Sequence, residues 1–397
     1  MHERWGASPS WTPEQVGVIA GWIIDLAVAL PEDETMHVML GERRPLGRAA
    51  DDVVQVTEEV VAKIRKRHLE LRLSPELFRP VLTAMEASDQ ALLAFARDGL
   101  YLELGIDTSP LHLDADEALI PNSFVVRVND LDLLPHLALG VGELLVNDTP
   151  ERLALQSVQA RPTRNPATWQ PGAIAPLGAR QELEASGLTV WDRAGHATLA
   201  FAQDVRANAW RLLDLDTVSA SLEPLTGVFP HTARTLDSLL SRTTLTRVLR
   251  GLLEERVSVR DFLSIAQNLI DSAERRGATR VDDLVEDVRT GLRWLVTSRA
   301  SRGTDTIVCY LLDPHLERRV PATSLQDQGP IDQLNEALAQ ELMQLPATAQ
   351  PPCILVAPEA RRAIRLALAE RFPNVAVVSF AELAPGVHVQ PVARVGA

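Results

Sequence analysis

Chemistry needs particular side chains at particular spacings, and this 397-residue chain offers few such combinations. Its nine histidines are scattered. His112, His196 and His388 have no second ligand at helical or strand spacing. Neither H-E-x-x-H nor C-x-x-C occurs, so no metal site is expected. Asp114-Ala115-Asp116-Glu117 has the acid density of a calcium loop but lacks the loop glycine, which makes it a turn leading into a strand. Gly140-Val141-Gly142 lacks the third glycine of a dinucleotide loop, and strand-like residues follow it. There is no G-x-x-x-x-G-K-[ST] and no G-x-S-x-G. No cofactor and no catalytic residue is therefore expected, and the chain reads as non-enzymatic. The rival reading is an enzyme whose acids pair only across a cleft between the first two modules. Cys309 and Cys353 lie in apolar runs and read as reduced core thiols. The stretch best equipped to be a site is Arg161 to Gln170. Its two arginines, Arg161 and Arg164, its Asn165-Pro166 turn and its Trp169 suit a surface for a protein partner. Trp169 either stands in solvent or tucks under its own module, and both readings stay open at this level.

The elements that must position this loop follow from periodicity. Hydrophobic content is 46%, charged content 23% and net charge −14. That balance describes a folded acidic protein and argues against nucleic acid or an anionic membrane as a direct partner. Val16 to Leu30 is apolar, but Asp25 interrupts it and it is shorter than the roughly 20 residues of a membrane span. It reads as an amphipathic helix capped at Thr12. Met36–Leu40 reads as a strand. Asp51 to Leu73 reads as a charged helix, with Lys63, Arg65, Lys66 and Arg67 on a solvated face. Short helices are expected after Ser74 and Ser88, and strands at 111–113, 124–130 and 142–147. Arg161 to Gly172 reads as loop, Ala179 to Ser186 as helix and Gly187 to Asp192 as strand.

Leu245 to Val296 carries three apolar stripes at helical spacing. The capping pairs Ser258/Asp261 and Thr279/Asp282 divide it, and the last stripe runs through Leu292 and Leu295. Thr304 to Leu312 reads as a strand, Asp313-Pro314-His315 as a turn and Gln326–Pro330 as loop. A helix from Ile331 to Leu345 follows, with a linker over 346–352. Strand 353–357, helix 359–371 and strands 375–379 and 387–395 complete a βαβ pattern. The expected architecture is α+β or α/β and multidomain, with small mixed modules flanking a three-helix unit. The boundaries are 1–35 (helical extension), 36–146 with 193–215 (first module), 147–192 (inserted module), 216–300 (helical) and 304–397 (C-terminal α/β).

Four pieces of the chain, in order, resemble one family. They are Arg97 to Ile106 with its Glu103-Leu104-Gly105-Ile106, then Asn165-Pro166-Ala167 with Gly187-Leu188-Thr189-Val190-Trp191-Asp192. After these come Leu252-Leu253-Glu254-Glu255-Arg256-Val257-Ser258-Val259-Arg260-Asp261 and Pro373 to Ser379 with Glu382-Leu383. They are similar to the FHIPEP proteins, in particular to the large cytoplasmic domain of the flagellar and type III secretion export gate. The resemblance implies a homo-oligomeric ring that docks chaperone–substrate complexes and meets other export-apparatus proteins. It implies a cytoplasmic location, with membrane contact only through partners. The family's membrane half has no counterpart in this sequence. A hydrophobic dimple beside the Asn165 loop receives export chaperones in flagellar members. The resemblance places Thr168 where those members have an aromatic residue, and Leu199-Ala200 where they have a Thr-His pair. With the loop residues Arg161, Arg164, Asn165 and Trp169, the resemblance adds Thr168 and Leu199 to the expected partner-binding set. A monomeric interaction module is the remaining alternative.

Overall fold

A strand and its two flanks show how the first sheet is built. The computed structural model describes residues 69–397 except 88–90, 107, 109, 110, 277–279, 322–327, 347, 348 and 397. The expected helix at 16–30, the strand Met36–Leu40, the basic cluster Lys63–Arg67 and the Thr279 cap lie outside those residues. β1 (Leu69–Leu73) pairs in parallel with β2 (Leu111–Ala115) and antiparallel with β3 (Ser123–Val128). β3 also carries the short β4 (Leu131–Asp132) and β5 (His136–Leu137). This corrects the reading of 51–73 as a helix that runs through Leu73. Leu69-Glu70-Leu71-Arg72-Leu73 alternates with period two, and its three leucines are wholly buried.

The inserted sheet runs β7-β8-β6-β9, antiparallel throughout, from β6 (Glu143–Val146), β7 (Arg161–Arg164), β8 (Pro171–Pro176) and β9 (Val190–Trp191). The strand at 142–147 thus pairs with the inserted segment. Arg161–Gly172 is not all loop: both its ends are strands of a hairpin. Pro162 is tolerated because β7 is an edge strand, and Pro171 because it is the first residue of β8. The helix Arg193–Asn208 follows, with Asp192 accepting from the Gly195 N–H as its N-cap.

The helical unit holds the helices Arg242–Glu254, Phe262–Arg276 and Val281–Gly291, which pack on one another and on Pro230–Leu239. Asp261, not Ser258, caps the middle helix: its Oδ1 accepts from Ser264 N at 3.1 Å. The third stripe is two helices, because Val281–Gly291 ends and Arg293–Ala300 begins anew after Leu292. The unit does not close on itself. Leu249, Leu252, Ile265 and Val288 belong to the same buried cluster as Leu71, Phe124 and Phe201, so the first sheet and the helices share one core.

The last sheet is parallel throughout, in the order β12-β11-β10-β13, from β10 (Thr306–Leu312), β11 (Cys353–Val356), β12 (Val377–Ser379) and β13 (His388–Val395). One face packs Tyr310, Ile354 and Val356 against Leu334, Ile364 and Leu368. The other packs Ile307, Cys309 and Leu355 against Val296. Asp313-Pro314-His315 is not a bare turn but the start of the helix Pro314–Arg319, with Asp313 capping it and Pro314 in its first turn. The loop expected over 326–330 does not reach its far end, since Gly329–Gln344 is already helical; 326 and 327 lie outside the described residues. Cys309 and Cys353 are neighbours in register, buried and not joined by a disulfide. Burial, and then the neighbouring Cys309, push the Cys353 thiol up to about 12.

Candidate functional site

The β7–β8 hairpin presents the loop the sequence singled out, and its turn is held by its own side chains. Asn165 is buried; its Oδ1 accepts from Ala167 N at 2.9 Å, closing an Asx turn. Its backbone carbonyl accepts from Trp169 N at 2.7 Å. Trp169 sits at φ +61° and is 56% exposed. Arg164 Nη1 caps the turn by donating to the Trp169 carbonyl at 2.9 Å. Thr168 Oγ1 accepts from Gln170 N at 3.4 Å. Arg161 lies at the other end of β7 and donates to both Glu143 oxygens, at 2.9 and 3.0 Å. Burial pushes the Glu143 carboxyl up, but Arg161 and the Gly140 N–H more than offset this and hold it below the usual carboxylate range. Pro162, Thr163, Arg164 and Pro171 line an open depression of about 350 Å³ beside the hairpin.

Leu199 is set apart from this loop. It packs with Leu139, Leu145, Ile174 and Trp191, behind the inserted sheet. One turn further along the same helix, Gln203 reaches the loop. With its amide oriented to satisfy both ends, it donates to the Ala167 carbonyl at 3.0 Å and accepts from Arg256 at 3.1 Å. Gln170 in turn donates to the Ala349 carbonyl in the segment before β11. Five of the six sequence-derived residues therefore lie on one hairpin, and Leu199 supports it from beneath.

Sequence reasoning missed the charged seam between the helical unit and the last sheet. Arg361 is fully buried and pairs with Glu255 and Glu286. Arg289, also buried, reaches Glu382 at 2.5 Å and Glu255 at 3.1 Å. Glu382 accepts from Ser379 N at 2.6 Å, closing a capping box. Burial pushes the Glu255 carboxyl up, but Arg289 and Arg361 together hold it below the usual range. Burial alone would lower Arg361, yet its two glutamates raise it further still. The partners of Arg361 are 75 and 106 positions away and Glu382 is 93 from Arg289, so no spacing announces these pairs. The only signal was the pair of quoted segments containing Glu255 and Ser379–Glu382.

Among the described residues, no group of three or more His, Cys, Asp and Glu side chains could hold a metal ion. No helix there is long and apolar enough to cross a membrane.

Against known proteins, the FHIPEP family model matches residues 13–388. The low calcium response locus protein D of Yersinia pestis is 21% identical over 334 residues, 80% of this chain and 47% of that protein. The hypersensitivity response secretion protein HrcV of Ralstonia nicotianae is 30% identical over 315 residues, 75% of this chain and 44% of that protein. The chain thus spans about half the length of these curated relatives. The solved Chlamydia pneumoniae CdsV protein superposes with a TM-score of 0.74 at 22% identity, covering 82% of this chain and 97% of that one. The nonameric EPEC SctV-C gives 0.64 at 17% identity, covering 82% and 98%.

Proposed function

Because the chain belongs to the FHIPEP family, we propose that it is a non-enzymatic component of the export gate of a type III secretion or flagellar apparatus, forming a ring of copies on which chaperone–substrate complexes dock. The observation that carries this reading is the span of the family match, residues 13–388, which runs through every module of the fold. The ring finds support in a relative of the same fold that was solved as a nonamer. A ring of one subunit type needs a head-to-tail interface whose rotation closes. The docking surface is the exposed face of the β7–β8 hairpin, with Trp169 as anchor, Thr168 beside it and Arg161 and Arg164 flanking it. An exposed aromatic on a braced turn offers area at small entropic cost. The protein works on the cytoplasmic side and meets the membrane through partners.

Light scattering over a range of concentrations tests assembly, and capture of a chaperone–cargo pair from the same secretion system tests docking. A concentration-dependent closed oligomer and a capture weakened about tenfold or more by Trp169→Ala are expected. A strict monomer at high concentration that captures no chaperone–cargo pair would overturn the proposal.

A further inference from the structure

Three of the quoted sequence segments meet at one point in the fold. The first supplies Glu103, the second Arg256 and the third Asn374. Four arginines converge there. Glu103 divides its oxygens between Arg206 Nε, at 2.7 Å, and Arg299 Nη2, at 3.1 Å. Arg299 Nη1 donates to the backbone carbonyl of Arg256. The Arg256 side chain donates to Asn374 Oδ1. Arg365 donates to the carbonyls on either side of Asn374, Pro373 at 3.3 Å and Val375 at 3.2 Å.

The charges at this point do not balance. Arg206 and Arg299 share one carboxylate. Arg256 is held by neutral oxygens, those of Asn374 and Gln203, and Arg365 by backbone carbonyls. Glu255, which also acts on Arg365, is already committed to Arg289 and Arg361. Burial, and then the charges of Arg299, Arg365 and Arg206, push Arg256 down to about 10. In a chain of net charge −14, such a concentration of positive charge runs against the whole. Like charges gathered in a partly dry junction repel, and a bound anion relieves that repulsion. The junction is reachable, since the Arg299 side chain is 39% exposed.

We infer that this junction binds an oxyanion of two or more charges, received by the guanidinium donors of Arg256, Arg365 and Arg299. Planar guanidinium groups suit phosphate and carboxylate oxygens, and charge-assisted bonds to them are the stronger kind. The oxyanion comes either as free phosphate or as the side chains of an acidic peptide. The inference stands on this junction alone and does not depend on the docking reading.

Calorimetric titration of the full chain at fixed ionic strength tests it, with inorganic phosphate in one arm and a hexaglutamate peptide in the other. Saturable binding in at least one arm is expected, weakened about tenfold or more by Arg256→Gln and by Arg365→Gln. Phosphate alone binding identifies a small-anion site; tighter binding of the peptide identifies an acidic segment as the ligand. Absence of saturable binding to the unaltered chain in both arms overturns the inference. So does binding left unchanged by the substitutions. The titration of the unaltered chain needs no variant. Arg365→Gln removes bonds to two backbone carbonyls and the longer-range attraction of Glu255, with no direct ion pair lost, so it decides the matter if Arg256→Gln does not fold.

Discussion

At Glu255, opposing costs can be weighed against each other. A carboxylate taken out of water is unfavourable unless it is paired, and here two arginines pair it. Glu255→Gln leaves Arg361 and Arg289 each short of a partner in the interior. Its expected cost is about 3–5 kcal/mol of unfolding free energy, read from urea denaturation near neutral pH. Because the folded carboxyl titrates below its unfolded range, its contribution is complete above pH ~4.3 and declines as the pH falls through the folded value. The substitution is therefore also expected to flatten the acid limb of the stability profile. His196 acts at milder pH. Burial, and then the charge of His136, push its imidazole down to about 4. The unfolded chain takes up a proton near pH ~6.5, whereas the folded one waits until lower pH. Stability is thus whole above that range and falls between there and pH 4, by on the order of 2–3 kcal/mol. His196→Leu should remove this slope in urea titrations run across that window. Trp169→Ala sits at the other extreme. Its side chain is mostly in solvent, so unfolding should move by less than about 0.5 kcal/mol even where partner capture fails.

Among the elements, the end of the helix Ala91–Leu104 shows how closely two parts of the chain approach. Gly105 has φ +78°, and a Cβ there would lie 2.2 Å from the Arg260 backbone nitrogen. The Val259 N–H donates to the Leu104 carbonyl at 2.9 Å in the same contact. Gly105→Ala must either twist an unfavourable backbone or part these segments. A loss of more than about 1 kcal/mol is expected in thermal denaturation. Most helices were legible because their apolar residues recur at 3.6. The inner strands of the last sheet, β10 and β11, were legible because strands covered on both faces read as apolar runs. The elements that were misread share a cause. Leu69–Leu73 alternates but follows a charged helical pattern with no breaker between them. Arg161–Arg164 is a strand because its partner β8 orders it, and two prolines mask that. Asp313-Pro314 signals a helix start as well as a turn, and only the buried Leu316 decides between them. For the candidate site, the hairpin residues could be listed from sequence. Gln203, the Ala349 partner of Gln170 and the arginines around Asn374 could not, since tertiary packing alone brings them together.

For the whole molecule, the distribution of apolar cores sets the order in which parts come loose. The first sheet and the helices bury one continuous cluster, whereas the inserted sheet closes over a handful of residues around Val146, Leu153 and Leu183. Local opening follows the extent of buried contact. Hydrogen exchange should accordingly release the amides of β6 and β8 well before those of β1 and β3. Equal protection in the two sheets would contradict this.

The single core that runs from β1 through to Leu292 also has a mechanical meaning. Two bodies that interlock side chains across their whole boundary cannot pivot against each other without melting. Bending within the described residues must therefore be taken up at the polar seams, where Gln203 and Gln170 act as fasteners that water can replace, whereas the buried Glu255 ion pairs hold their seam shut.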